Sequence, residues 1–300
     1  MMKHFEKDNQ VSPTKAAARY TWRHACAIYP YFLLAWLLAF FKQAFESQYS
    51  LHEMLSVAKK SIWELLLVWT VAPGNQTLIF VSWYVSAMLI SGYFIYWLLK
   101  KNREVFVGFI TPLTILLAYS FFARNGRGLD YHYSFNQLLG DCAVRSWAGM
   151  SLGCISYCLY KKAVSFDFSR KGKVLLSVME ILTVSFVLYG LIRQKHSNYD
   201  FFTALLFSPL IVLGFMRRSL LSRMLDRSVF RILGAASIGM YFTQGLLFPC
   251  INKIRLDFGL SNKASYALLI FVSTLVGLAA HFAVSQSVNF FRSKESVAFR

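Results

Sequence analysis

Acidic side chains are scarce in this sequence. Asp and Glu number 14 against 32 Lys and Arg, and charged residues of both signs make up 15% of 300. The resulting formal charge of +18 would suggest nucleic acid in a soluble protein. Here it accompanies 56% hydrophobic residues and a positive mean hydropathy, a composition too apolar for a soluble domain. Cysteine is also sparse. The five (Cys26, Cys142, Cys154, Cys158 and Cys250) are odd in number and lack metal-ligand spacing, so they read as small hydrophobes in or at the ends of spans and give neither a disulfide framework nor a metal site. No low-complexity linker and no internal repeat is visible, and every loop is shorter than about 25 residues, which leaves no room for a second soluble domain. The P-loop, HExxH, GxGxxG and HxxxxD patterns are all missing.

What is present is a series of apolar runs. A helix needs roughly 17 to 25 apolar residues to cross about 30 Å of hydrocarbon, and no open structure other than a helix satisfies its own backbone there. Residues 25–41, 78–99, 105–122, 142–160, 174–192, 201–216, 232–250 and 264–291 qualify. The expectation is an all-α, polytopic transmembrane bundle of eight spans within a single domain, 1–300. A basic segment, 1–24, precedes the bundle (25–291), and a tail, 292–300, follows it. A ninth piece, SIWELLLVWTVA (61–72), is short, carries Glu64 and stops at Pro73-Gly74, so it reads as re-entrant or interfacial.

Placement of the basic residues sets the expected orientation. With the amino terminus in the cytoplasm, the inner segments hold 21 Lys and Arg and the outer segments 10, with Arg145 left inside a span. Both termini then face the cytoplasm, and much of the positive charge is topological, with some attraction to anionic membrane lipid. A cleavable export signal does not fit, since Phe40-Phe41-Lys42-Gln43 is a poor cleavage site.

Polar groups at membrane depth are costly and therefore informative. Ser177, Glu180 and Thr183 recur at threes, Ser237, Tyr241 and Gln244 share a stripe, and Thr274, Gly277, His281 and Ser285 recur at threes and fours. These faces are expected to point inward, around a polar cavity or into hydrogen bonds between helices. Arg145, Gly149 and Gly153 are spaced by four, a small-residue face that would pack and draw Arg145 inward as an anion or oxyanion contact; snorkelling to the interface is the alternative. GMSLG (149–153) matches GxSxG, yet it sits mid-helix and lacks the strand and strained turn of a nucleophile elbow. The loop ARNGRGLDYHYSFNQLLGD (123–141) combines Arg124, Arg127 and His132 with Tyr131, a mixture that suits a carbohydrate and equally an interfacial aromatic belt.

Four stretches in order carry a resemblance: RxxxRHxxxIYPYFLLA (19–35), WYVSAMLI (83–90), RSWAGMSLGCISY (145–157) and LGAASIGMYFTQ (233–244). Together they resemble the membrane-bound acyltransferase-3 family over nearly the whole chain. The resemblance implies a ten-helix bundle in a bacterial cytoplasmic (inner) membrane that moves an acyl group, commonly acetyl, from cytoplasmic acyl-CoA to a hydroxyl of a cell-surface or exported carbohydrate. Acyl-CoA is then a co-substrate, a lipid-linked or free glycan is the acceptor, and no cofactor, metal or nucleic acid is implied. It also implies that Arg19 and Arg23, with Tyr29 and Pro30, form the donor entrance, and that Trp83, Ser86, Tyr241 and Gln244 line the cavity. Arg124, Arg127, Tyr131 and His132 are the acceptor-loop candidates.

In the family, two helices bearing a basic residue and a catalytic histidine precede this region. MMKHFEKDNQ resembles the cytoplasmic continuation after them, so the first span here corresponds to the family's third and the chain reads as truncated, with its activity in question. Gln244 stands where the family often has His, and the last span lacks the usual Glu-Pro close. The chain itself offers His281, Glu180 and Arg145 as catalytic candidates. Two other classes stay open: a transporter or flippase of lipid-linked sugars, and a non-catalytic membrane partner.

Overall fold

The computed structural model describes residues 11–71, 77–124, 140–193 and 199–298. Among them every regular element is helical. The long helices are α1 (Pro13–Glu46), α4 (Ser82–Lys101), α5 (Arg103–Arg124), α6 (Asp141–Val164), α7 (Arg170–Arg193), α8 (Tyr199–Met216), α10 (Ser228–Asp257) and α11 (Asn262–Ala298). Short helices α2 (Leu51–Lys60), α3 (Ile62–Leu65) and α9 (Leu220–Leu225) join them. The region 61–72 breaks into α3 and a single 3₁₀ turn, Trp69–Val71, as a segment too short to span should.

Each expected run is a helix, and six of the eight are long and apolar enough to cross a membrane: α1, α4, α5, α7, α10 and α11. α8 is apolar but short. α6 has the length and lacks the apolarity, because Ser146, Ser151, Ser156 and Asp141 face inward on it. It packs against α5 and α8, so much of its surface meets protein and has no need to be apolar. The reverse holds for α7, where Val174, Leu175, Leu182, Phe186 and Leu188 are exposed. So much uncovered apolar surface on one helix is incompatible with water and ordinary in a bilayer.

The chain divides into two compact units, Met1–Arg23 with Ser86–Arg227, and His24–Val85 with Ser228–Arg300. In the first, Tyr20 stacks on Tyr96 at 4.7 Å over Ala16 and Ala17, which seats the start of α1 on α4. Ile95, Leu99, Phe106 and Cys154 form the centre, covered by Trp147, Met150 and Tyr157. Ser156 and Ser208 share a 2.7 Å hydrogen bond between α6 and α8. The Arg218 guanidinium donates to the carbonyls of Phe166 and Val164 and lies over the Phe168 ring, pinning the turn after α6.

In the second unit α10 and α11 form the most extensive helix pair. Gly239 and Gly277 make it possible: a Cβ on Gly277 would lie 2.8 Å from the Ala236 carbonyl oxygen, and one on Gly239 would lie 2.8 Å from that of Gly277. Only glycine allows this approach, the small-residue packing that drives helix association where lipid removes the hydrophobic drive.

Candidate functional site

The polar pair best placed for chemistry lies in the second unit, where α1, α10 and α11 meet. The Tyr31 hydroxyl and His281 Nδ1 are 2.9 Å apart, and the two rings lie nearly parallel. Both side chains are half-buried. One residue along α1, Phe32 packs edge-on against Phe242 of α10. One turn before His281, Gly277 sits against α10. The glycine contact sets how closely α11 lies on α10, the aromatic contact sets α1, and the tyrosine then orients the imidazole. Two tautomers satisfy the bond. When Nδ1–H donates to the phenol oxygen, Nε2 is left as a basic lone pair, the state a general base requires.

Nearby in the same unit is a second polar centre. Glu64 of α3 is fully buried and anchors the segment that leads into α4: its carboxylate accepts from the Leu78 amide at 2.8 Å, the Ile79 amide at 2.9 Å and the Ser82 hydroxyl at 2.9 Å. Ser82 in turn accepts from the Trp69 indole N–H at 2.8 Å. Burial raises the Glu64 carboxyl above its usual value, and these hydrogen bonds offset part of the shift. The Tyr241 hydroxyl donates to the Val81 carbonyl at 2.5 Å, tying α10 to the same segment.

The other expected site residues distribute as follows. Arg19 and Arg23 are exposed on α1 and, four apart, share one face. Tyr29 lies at the surface against Phe32, and Pro30 is half-buried within the uninterrupted α1. Trp83 and Ser86 are buried. Gln244 is exposed, as is Ser237 of its stripe, so that stripe does not present one inward face. Ser237, Thr274 and Ser285 donate to carbonyls of their own helices, so their hydroxyls are satisfied without any polar cavity. Glu180 is buried on α7 and its Oε2 has no hydrogen-bond partner. Arg124 is exposed; Arg127, Tyr131 and His132 lie outside the described residues.

The packed face proposed for α6 is corrected by the structure. Gly149 and Gly153 are exposed, and a Cβ on either would meet nothing within 4 Å. Among the described residues no helix covers this face; α5 and α8 pack on α6, whose Ala148, Ser151 and Ser156 are buried. Arg145 is half-buried near Tyr119 instead. Ser151 of the GxSxG match is buried within the uninterrupted α6, where no nucleophile elbow exists. Cys26 and Cys250 are exposed, whereas Cys142 and Cys154 are buried as expected.

Two candidate positions escaped sequence reasoning. Tyr31 is one aromatic among 51, and only its partner distinguishes it. Glu64 carried a signal in being a lone carboxylate inside an apolar run, but its partners lie about 14 to 18 residues downstream, beyond any local pattern.

Comparison with protein-family models, with curated proteins and with solved structures finds no match. Fold and surface define the class: an all-helical integral membrane protein with, among the described residues, six helices long and apolar enough to span.

Proposed function

We propose that this protein is a membrane O-acyltransferase, most simply an acetyltransferase, that moves an acyl group from cytoplasmic acyl-CoA to a hydroxyl of a cell-surface or exported carbohydrate. One observation carries the reading: His281 Nδ1 lies 2.9 Å from the Tyr31 hydroxyl, and in the tautomer whose Nδ1–H donates to that oxygen Nε2 can take a proton. In the reaction His281 removes the proton of the sugar hydroxyl, the oxygen attacks the thioester carbonyl, and a tetrahedral oxyanion forms. Its collapse breaks the C–S bond, and the imidazolium returns the proton to the CoA sulfur. Tyr31 positions the base, and the family likeness of 19–35 assigns the donor phosphates to the exposed Arg19 and Arg23, which suit bidentate contact. The full topology belongs to the same proposal: α6 and α8 also cross, giving eight spans with both termini in the cytoplasm of a bacterial inner membrane.

The test is acetylation of surface carbohydrate in cells expressing the chain. His281→Gln abolishes it, and Tyr31→Phe lowers it by roughly 10- to 100-fold, the range for losing one general-base arrangement, with the melting temperature unchanged. Arg23→Ala weakens acyl-CoA binding. Wild-type acetylation in His281→Gln sinks the assignment.

A second reading, a carrier of lipid-linked sugars, is favoured by Glu180, a buried carboxylate with an unpartnered oxygen on a helix with a broad exposed apolar surface. Loss of glycan translocation in Glu180→Gln, with acetylation intact, would select it.

A further inference from the structure

The first unit contains a cavity of about 620 Å³ between α4, α5 and α6. Its size falls in the range of small-molecule sites, roughly 300 to 1,000 Å³, whereas packing voids in interiors seldom exceed a water molecule. Two of its walls, α4 and α5, are long and apolar enough to span, so it lies at hydrocarbon depth. The lining is almost entirely apolar, with Ile90, Phe94, Leu117, Ala118, Phe121 and Val144 as its main surfaces. Phe94 and Leu117 are 49% and 60% exposed, so the opening is itself apolar and faces whatever surrounds the bundle.

Most of the few polar liners are engaged within the protein. Ser91 donates its hydroxyl to the Ala143 carbonyl, Thr114 donates to that of Thr111, and Asp141 is buried and engaged. The Trp147 indole N–H is buried without a partner, and one unpaired donor falls short of the two to four polar partners that hold a water molecule. A headgroup would meet the same shortage. What suits an open apolar cleft at this depth is a slim, flexible hydrocarbon.

We propose that this cleft binds one hydrocarbon chain of a bilayer lipid, drawn from the membrane through the opening between Phe94 and Leu117. The proposal is independent of acyl transfer, and its test reads lipid contact, so either can fail alone.

The test uses the full chain in polymer-bounded native bilayers, with a phospholipid carrying a diazirine in its acyl chain as the probe. After irradiation and digestion, peptides covering 90–94 and 117–121 are expected to carry more label than peptides of the openly lipid-facing α7 surface, 181–186. Leu117→Trp and Ala118→Phe fill the cleft and bring that excess down to the α7 level, with α7 labelling unchanged. Leu117 is exposed, so its substitution leaves the core intact even where Ala118→Phe disturbs packing. Labelling of the cleft no higher than that of α7, or unchanged in both variants, overturns the proposal. So does displacement of the label by excess long-chain acyl-CoA but not by unlabelled phospholipid, which would assign the cleft to the donor's chain.

Discussion

Removing the Glu64 carboxylate is the sharpest perturbation of this fold. In Glu64→Ala the Leu78 and Ile79 amides lose their acceptor, as does the Ser82 hydroxyl. The hydroxyl rotates to another partner, but the two backbone amides, fixed in the bend before α4, cannot. Each orphaned buried donor costs about 1–3 kcal/mol. Abolishing the desolvation of the carboxylate itself returns part of that, so the net loss is about 3 kcal/mol. Glu64→Gln keeps one acceptor oxygen and turns an NH₂ towards an amide donor, for a loss of about 1–3 kcal/mol.

In thermal unfolding of purified protein followed by tryptophan fluorescence, Glu64→Ala is expected to melt roughly 6 °C or more below wild type, at about 2–4 °C per kcal/mol for chains of 150–250 residues. The pH dependence has a definite sign. Burial raises the folded Glu64 value above the usual 4.5, so the folded state binds the proton more tightly than the unfolded chain. The stability this confers is fully present below about 4.5 and is lost as pH rises through the folded value. Glu53 is opposite: hydrogen bonds from the Ser50 side chain and amide hold it below the usual value, so its contribution is present at neutral pH and is lost on acidification. The wild-type advantage over Glu64→Gln therefore shrinks as pH rises above 4.5, and that over Glu53→Gln does not. Melting of Glu64→Ala within a degree of wild type refutes the anchoring role of the carboxylate, and a wild-type advantage over Glu64→Gln that grows with pH refutes the dominance of burial over its hydrogen bonds.

The glycine contacts give an internal contrast. Gly277→Ala forces backbone apart on both sides of the α10–α11 crossing and is expected to cost about 1–3 kcal/mol, whereas Gly149→Ala and Gly153→Ala meet open space and leave melting unchanged or raised; equal effects at all three would refute the crossing geometry. Arg218→Lys is expected to lower the melting temperature almost as far as Arg218→Ala, because a single ammonium cannot serve two carbonyls and a ring together, and full rescue by lysine refutes that. Gln48 closes α1 in the left-handed conformation, φ 50°, with the Gln48 and Tyr49 amides bonded back to Phe45 and Ala44. Gln48→Gly therefore raises stability by up to about 1 kcal/mol, readable as a higher melting temperature.

Particular elements show where local pattern suffices. Each apolar run became a helix because a backbone in hydrocarbon has few other ways to satisfy its groups. Segment 61–72 broke into short turns, as its length and Pro73-Gly74 required. Polar spacing was a poorer guide, since a hydroxyl in a helix bonds its own preceding carbonyl as readily as a neighbour. Ser237, Thr274 and Ser285 did so, and the small-residue face of α6 was left uncovered.

Composition and periodicity alone therefore determined that the chain is helical, membrane-embedded and punctuated where it is, because those properties depend on the residues within one turn or one span. Tertiary structure decided that Tyr31 meets His281 across 250 positions, that Glu64 anchors the segment leading into α4, and that α10 and α11 touch at glycine. It also decided that α6 is covered by its neighbours while α7 is left to lipid. Those outcomes depend on which helices are neighbours, a property that no single span encodes.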